Sequence, residues 1–200
     1  MIKNIIFDFG DVFIDLDKPA TVREMKKFGF TDITPELDTL FKDYEMGLVT
    51  SEYFLDTTES YFPKASRQEL IDAWNAILLE FPEYRLEYLE ELAATKRFKL
   101  FLLSNTNELH IAHERERMGN RFDRFENAFD RFYLSYEMKK RKPNSDIFEQ
   151  VLQENKLLAK ETLFIDDTKE NTDTAQKLGI NIWHLQVGKE DVVQLKEHLP

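Results

Sequence analysis

Five side chains in four parts of the chain are suited to phosphoryl transfer. Each lies at or shortly after the end of a hydrophobic run: Asp8, Ser104, Lys142, and the adjacent pair Asp166 and Asp167. Carboxylate oxygens are the ligands that Mg²⁺ prefers, and a carboxylate attacks a phosphate ester when cations screen their mutual repulsion. A hydroxyl and an ammonium group complete such a set by binding the transferring phosphate. These residue types therefore predict a phosphoryl-transfer site, provided that the fold brings them together.

Five hydrophobic runs predict the β-strands that would position these residues. The runs cover residues 2–8, 98–103, 131–135, 162–165 and 180–185. All but the first are followed by a segment with helical spacing, at 108–118, 145–155, 170–178 and 190–198. Strands that alternate with helices form parallel sheets, and ligands bind where the carboxyl ends of such strands meet. The chemical residues are therefore expected at one edge of a sheet.

The segment between the first two strands has a different pattern. From residue 18 to 96, apolar side chains recur at helical spacing, without strand-like alternation. A lone N-terminal strand cannot satisfy its backbone against helices, so it must join the later strands. The sequence thus predicts an α/β fold, with a Rossmann-like parallel-sheet core from residues 1–17 and 97–200 and an inserted all-helical cap from residues 18–96.

Composition and charge limit the partners that we expect. The chain of 200 residues carries a formal net charge of −11 and no cysteine. Nucleic acids and acidic membranes bind basic surfaces, so neither is an expected partner of an acidic chain. Because there is no cysteine, thiolate chemistry is excluded. The apolar run at the N-terminus is too short for a signal peptide or a membrane span. We therefore expect a soluble, cytoplasmic protein. Either a monomer or a homodimer is compatible with the sequence.

Four sequence segments, in chain order, resemble the four motifs of the haloacid dehalogenase-like hydrolases. They are IIFDFGDV, LLSNTN, RKPNSDIF and LFIDDTKEN. The resemblance spans nearly the whole chain, and the segment 18–96 is similar to the helical cap of the sugar-phosphate phosphatases in that family. It implies a Mg²⁺-dependent phosphatase acting on a small phosphorylated metabolite, since a closed cap leaves little room for a protein substrate.

The resemblance also implies the nucleophile and the metal ligands. Asp8 would attack the phosphate ester, become an aspartyl-phosphate and bind Mg²⁺ together with the backbone carbonyl of Gly10. Asp166 and Asp167 would complete the metal site. Asp167 and Glu170 also have the spacing of a helix capping box, so a purely structural role for Asp167 is the alternative.

The phosphate-binding residues follow from the same resemblance. Ser104 and the backbone amide of Asn105 would donate hydrogen bonds to the phosphoryl group, and Lys142 would neutralise phosphate and nucleophile. Asn171 would help to position the loop of the metal ligands. Each side chain is also typical of a turn or a solvated loop, but a complete set is improbable by coincidence. The histidines are expected to be surface or packing residues.

One loop of the predicted cap resembles the substrate loop of the sugar-phosphate relatives. Gly47 would let the chain turn sharply toward the active site, so that Tyr44, Glu45 or Met46 contacts the leaving group. An ordinary helix C-cap at Gly47 is the alternative. None of these residues identifies the substrate.

The sequence departs from the family pattern two residues after Asp8. Most phosphatases of the family carry a second aspartate there, which acts as general acid. Gly10 occupies that position, and Asp11 follows one residue later, where its side chain is expected to point elsewhere. A missing general acid costs about 10² to 10⁴ in rate, and least for leaving groups of low pKa. Acyl phosphates, aryl phosphates and sugar 1-phosphates are therefore the expected substrates. Lys139 is a second departure, at a place where relatives often have glycine.

Three functions remain compatible with the sequence. The first is a small-molecule phosphomonoesterase. The second, suggested by Gly10, is a catalytically weak or inactive protein that binds Mg²⁺ and a phosphorylated metabolite. The third is a phosphoglucomutase-like phosphotransferase, less favoured because a mutase needs an acid–base residue for two hydroxyls. Gly10 and the carboxylate pair both argue against dehalogenation.

Overall fold

The computed structural model describes residues 1–199 and contains a five-stranded sheet whose neighbouring strands are all parallel. The strands are β1 Asn4–Phe7, β2 Lys99–Ser104, β3 Arg131–Leu134, β4 Thr162–Asp166 and β5 Asn181–His184. Their order is β3-β2-β1-β4-β5, so β1 lies between β2 and β4 and is buried along its length. This arrangement confirms the predicted α/β class.

The helices precede and connect the later strands. Within residues 1–199 they are α1 Ala20–Met25, α2 Pro35–Glu45, α3 Ser51–Tyr61, α4 Arg67–Asn75, α5 Glu83–Ala94, α6 Glu108–Met118, α7 Asn120–Asn127, α8 Ser135–Met138, α9 Ser145–Glu154 and α10 Lys169–Lys177. Short 3₁₀ segments cover Lys26–Phe28, Ala159–Glu161 and Val192–Glu197. None of the helices in this part of the chain is long and apolar enough to cross a membrane.

The prediction of an α-helix at 190–198 is wrong. The structure has the 3₁₀ segment Val192–Glu197 there, with Val192 and Leu195 buried. Two buried residues three positions apart match the 3₁₀ period, and six residues are too few for a stable α-helix of their own.

Two groups of buried side chains distinguish the first helices from the sheet. One group joins α2, α3 and α4 through Leu37, Phe54 and Leu70 and includes no strand residue. Leu86 of α5 belongs instead to a group that contains Ile5 of β1. By its packing, α5 therefore belongs with the sheet. The predicted cap, which ends at residue 96, had included it. The division into two domains stays a prediction.

Phenylalanine rings pack together beside the sheet. Phe125 of α7 is fully buried, and its ring centroid lies 5.2 Å from those of both Phe9 and Phe13. The ring of Phe81, just before α5, lies 5.0 Å from that of Phe125. Because Phe9 and Phe13 follow β1, this cluster supports the loop that begins at Asp8.

We expect Phe125→Ala to lower the free energy of unfolding by about 3–5 kcal/mol, since it would leave a cavity among several rings. Urea denaturation measures the change. Tyr53→Ala is the control, because Tyr53 is 57% exposed and its loss should change stability by about 0.5 kcal/mol or less. A similar, small effect for both variants would contradict the packing described here.

Candidate active site

The predicted chemical residues meet in one cavity at the carboxyl ends of β1, β2 and β4. The cavity has a volume of about 330 Å³, and Asp8, Ser104, Lys142 and Asp167 line it. A larger cleft of about 790 Å³ lies at the amino ends of β1 and β2. Within residues 1–199, the carboxylate cluster suited to a metal belongs to the smaller cavity. The candidate residues therefore lie at the edge where ligands bind in parallel sheets.

A buried ammonium group lies between two buried carboxylates in this site. Lys142 Nζ is 2.8 Å from Asp8 Oδ1 and 2.6 Å from Asp166 Oδ2, and the Lys142 side chain is 1% exposed. Burial opposes the charge of Lys142, but the carboxylates of Asp166 and Asp8 outweigh it and raise its pKa. Lys142 therefore stays protonated and can neutralise an incoming phosphate.

The carboxylates of Asp8, Asp166 and Asp167 carry more charge than Lys142 balances. One oxygen of each lies within 4.8 Å of the others. Burial is the main cause that raises the pKa of Asp8 to about 7; Lys142 opposes it, and the two other carboxylates add to it. A divalent cation would relieve this repulsion, and an all-oxygen donor set suits Mg²⁺. Gly10 also lines the cavity, and its carbonyl as a ligand stays a prediction.

The protein holds Asp166 more firmly than Asp167. Asn171 Nδ2 donates to both oxygens of Asp166, at 3.1 and 3.0 Å, and the amide of Thr168 donates to Oδ1 at 2.7 Å. Asp167 Oδ2 lies 2.5 Å from Nζ of the half-exposed Lys18. The N-cap of α10 is Thr168, without a side-chain cap, so the capping-box alternative for Asp167 is wrong. Asp167 is the more accessible of the two carboxylates for a metal.

No acid faces the cavity from the loop after Asp8. A Cβ added to Gly10 would lie 2.6 Å from Leu16 Cδ1, so Leu16 fills the space that a longer side chain needs. Asp11 has a φ of 54°; its Oδ1 accepts from the amide of Leu16 at 3.0 Å, and its Oδ2 lies 2.8 Å from Lys18 Nζ. Asp11 therefore anchors the loop and does not line the cavity.

Asn105 joins the loop after β2 to the segment that carries Lys142. Its Nδ2 donates to the carbonyl of Lys142 at 2.8 Å, and its Oδ1 accepts from the amide of Lys142 at 2.9 Å. Ser104 is buried at the end of β2 and lines the cavity. The structure thus brings Ser104, Asn105 and Lys142 together, while their contacts with phosphate stay predictions.

The cap loop reaches the cavity through Glu45 rather than through its neighbours. The Tyr44 ring is buried among α2, α3 and α4, with its centroid 4.2 Å from that of the stacked Phe54 ring, because the apolar face of α2 turns inward. Met46 is the C-cap of α2 and does not line the cavity, which corrects the expected position of both residues. Glu45 lines the cavity 2.9 Å from Arg141, and burial raises the pKa of Glu45.

Gly47 lets the cap loop lie directly on the core. Its φ is 60°, and a Cβ there would lie 2.1 Å from the carbonyl oxygen of Tyr136. Lys139 donates from Nζ to the carbonyl of Gly47, and Ser135 Oγ donates to that of Glu45 at 2.7 Å. Gly47 therefore both follows the C-cap of α2 and permits close approach. Lys139 itself has a φ of 58°, a conformation that glycine adopts more readily.

Several residues of the cavity wall were not among the predicted site residues. They include Lys18, His110, Glu114 and Arg141. Lys18 gives no local signal because its partner Asp167 is 149 positions away. Arg141 belongs to the basic run 139–142, which is typical of a loop. Glu114 had a signal, since it lies on the inward face of α6 among apolar residues.

The imidazole of His110 is held neutral in the cavity wall. Its ring centroid lies 5.4 Å from that of Trp74, and its Nε2 lies 3.2 Å from the carbonyl oxygen of Trp74. Burial lowers the pKa of His110 to about 4. His110 therefore packs against the cap and is not an acid that protonates a leaving group near neutral pH.

Comparisons of the sequence and of the structure with known proteins give relatives of the same family. A model of the family described as haloacid dehalogenase-like hydrolase matches residues 5–184. The chain is 28% identical over 204 residues to the D-ribitol-5-phosphate phosphatase of Bacteroides thetaiotaomicron, covering 95% of each chain. A crystal structure of a haloacid dehalogenase family enzyme from that species is 37% identical, with a TM-score of 0.88 over 98% of both chains. Its wild-type complex with magnesium and inorganic phosphate is 36% identical, with a TM-score of 0.84 over 95% of this chain and 97% of that chain.

The titration of His110 predicts a pH dependence of stability. His110 gains a proton near pH 6.5 when unfolded and near pH 4 when folded, so its contribution is complete above pH 6.5 and is lost as the pH falls toward 4. We expect His110→Gln to reduce the loss of unfolding free energy over this range by about 2 kcal/mol. Urea denaturation at several pH values measures it. Parallel pH profiles of the variant and the wild type would contradict a half-buried His110 that is neutral in the folded protein.

Proposed function

This chain belongs to the haloacid dehalogenase-like hydrolase family, and from that premise we propose that it hydrolyses a small phosphomonoester through an aspartyl-phosphate on Asp8. The observation that supports the proposal most directly is the contact of Asp8 with Lys142, beside Asp166 and Asp167. One relative from Bacteroides thetaiotaomicron is a phosphatase by name, and a crystal structure of a haloacid dehalogenase family enzyme from the same species is a complex with magnesium and inorganic phosphate. Mg²⁺ is accordingly the cofactor.

The reaction proceeds in two steps, the formation and the hydrolysis of the aspartyl-phosphate. Lys142 pairs with Asp8 Oδ1, so Asp8 Oδ2 is the oxygen that attacks. Oδ2 forms a bond to phosphorus while the bond between phosphorus and the ester oxygen breaks. The departing alkoxide takes a proton from solvent. Water then attacks the phosphorus of the aspartyl-phosphate, releasing inorganic phosphate and restoring the carboxylate. Lys142 and the hydroxyl of Ser104 offset the charge of the phosphoryl oxygens throughout.

Mg²⁺ would be held by Asp8 and Asp167, with Asp166 behind them, and would supply further charge neutralisation at the phosphate. Asn171 and the amide of Thr168 keep Asp166 in place, so that the ligand loop is preorganised. The cap closes the site from above through Glu45 and its partner Arg141. A cavity of about 330 Å³ suits a metabolite rather than a polypeptide.

The leaving group is the point at which this site differs from a phosphatase with a complete acid–base pair. Leu16 occupies the space beside Gly10, and Asp11 is engaged elsewhere. Esters with a weakly basic leaving group, including sugar 1-phosphates, should therefore react best. The same observation favours a second candidate function, in which the protein binds Mg²⁺ and a phosphorylated metabolite with little turnover.

We expect the wild type to release p-nitrophenol from p-nitrophenyl phosphate only with Mg²⁺, and Asp8→Asn to lower kcat by about 10⁴-fold or more because it lacks the nucleophile. Absorbance of p-nitrophenol measures turnover. Asp173→Asn is the matched control, since Asp173 lies on the exposed side of α10 and pairs with Lys169. Wild-type turnover equal to that of Asp8→Asn would reject the hydrolase and favour the binding function.

A second experiment addresses the missing acid. We expect kcat/KM for glucose 1-phosphate to exceed that for glucose 6-phosphate by about tenfold, because the anomeric oxygen is the weaker base. Phosphate release from both sugars, and from ribitol 5-phosphate, measures the preference. The double variant Gly10→Asp with Leu16→Ala supplies an acid and the room for it, and should reduce the difference. A clear preference of the wild type for glucose 6-phosphate would contradict the expectation that esters with weakly basic leaving groups react best.

A further inference from the structure

The geometry points to a second polar position in the active-site cavity, at Glu114. We propose that one carboxylate oxygen of Glu114 accepts a hydrogen bond from a hydroxyl of the substrate, remote from the phosphate. This selects sugar or sugar-alcohol monophosphates over esters without hydroxyls. The inference rests on the proposed phosphatase function, and it deepens that function by naming the class of leaving group.

Glu114 has an oxygen that no other group satisfies among residues 1–199. Its side chain is fully buried on the inward face of α6, with a relative exposure of 0%. Oε2 pairs with Arg117 at 2.9 Å, whereas Oε1 has no hydrogen-bond partner within the described part of the chain. A buried acceptor without a partner is costly, so such atoms in native proteins have a water or a ligand as partner.

The surroundings of Glu114 indicate a neutral hydroxyl as that partner. Apolar residues, namely Ile14, Leu16, Ile77 and Leu78, form part of the wall of the cavity that Glu114 lines. Arg117 already compensates the charge of Glu114, so a second cation is not required. Burial also raises the pKa of Glu114, and a hydroxyl can donate to its carboxylate or exchange roles with its acid form.

Glu114 and the phosphoryl site belong to the same cavity. Glu114 lines it together with Asp8, Ser104 and Lys142, and the whole volume is about 330 Å³. This is within the lower range of small-molecule pockets, about 300–1,000 Å³. A phosphate at Lys142 with a short polyhydroxylated chain would fill it, and the chain would extend toward α6. His110, one helical turn before Glu114, lines the same wall.

Steady-state kinetics with two substrates test the inference. For Glu114→Leu we expect KM for ribitol 5-phosphate to rise about 10-fold or more, because a hydrogen bond to a charged group is lost. KM for p-nitrophenyl phosphate, which has no hydroxyl, should change less than about twofold. Glu114→Gln retains an acceptor oxygen and the side-chain shape, so it should recover part of the selectivity. Glu116→Gln on the exposed side of α6 is the matched control.

Equal changes for both substrates would mean that Glu114 is structural and would overturn the inference. Unchanged KM values in both Glu114 variants would also overturn it, since the oxygen would then meet only water. If the wild type fails to turn over either ester, the proposed function fails separately. In that case calorimetric binding of ribitol 5-phosphate with Mg²⁺ still decides the inference, because equal affinity in the wild type and Glu114→Leu would reject it.

Discussion

The ammonium group of Lys142, buried between the carboxylates of Asp8 and Asp166, is the interaction on which the rest of the site depends. The three residues come from the end of β1, the loop after α8 and the end of β4. Isolated charges cannot be buried at an acceptable cost, so each stabilises the others only when all three strands and loops are in place. Asn105 reinforces this arrangement by binding both backbone groups of Lys142. The candidate active site therefore depends on the sheet that brings these residues together.

The remaining negative charge of the cluster explains the other features of the site. Three carboxylates against the single ammonium group of Lys142 leave an excess of negative charge that a divalent cation would balance. Lys18, which bridges Asp11 and Asp167, is half-exposed and can move away when a metal binds to Asp167. Glu45, from the segment 18–96, pairs with Arg141 of the core segment, so the two side chains balance each other's charge beside the phosphate site.

Much of this arrangement could be predicted from the sequence because its signals are local. Runs such as those ending at Asp8 and Asp166 specify buried strands, and parallel strands bring their carboxyl ends together. The short helix α8 and the 3₁₀ segment near the C-terminus were not predicted, because a few residues carry too little periodicity. Tyr44 was misplaced because its sequence position resembles a substrate loop, whereas its packing on Phe54 is a tertiary contact.

Other features depend on contacts between residues far apart in sequence. The pairing of Lys18 with Asp167 and the filling of the space at Gly10 by Leu16 arise only in the folded chain. Glu114 is an intermediate case: a carboxylate on the apolar face of a helix is visible in the sequence, but its unsatisfied oxygen is not. Such a feature breaks the local rules of folding, which is where functional sites are expected.

The most direct measurement is mass spectrometry of the protein after incubation with acetyl phosphate and Mg²⁺, followed by an acid quench. If Asp8 is the nucleophile, one phosphoryl group is expected on the peptide that contains Asp8, and only when Mg²⁺ is present. A phosphoryl group on another residue, or release of phosphate with no labelled carboxylate, would contradict that role of Asp8.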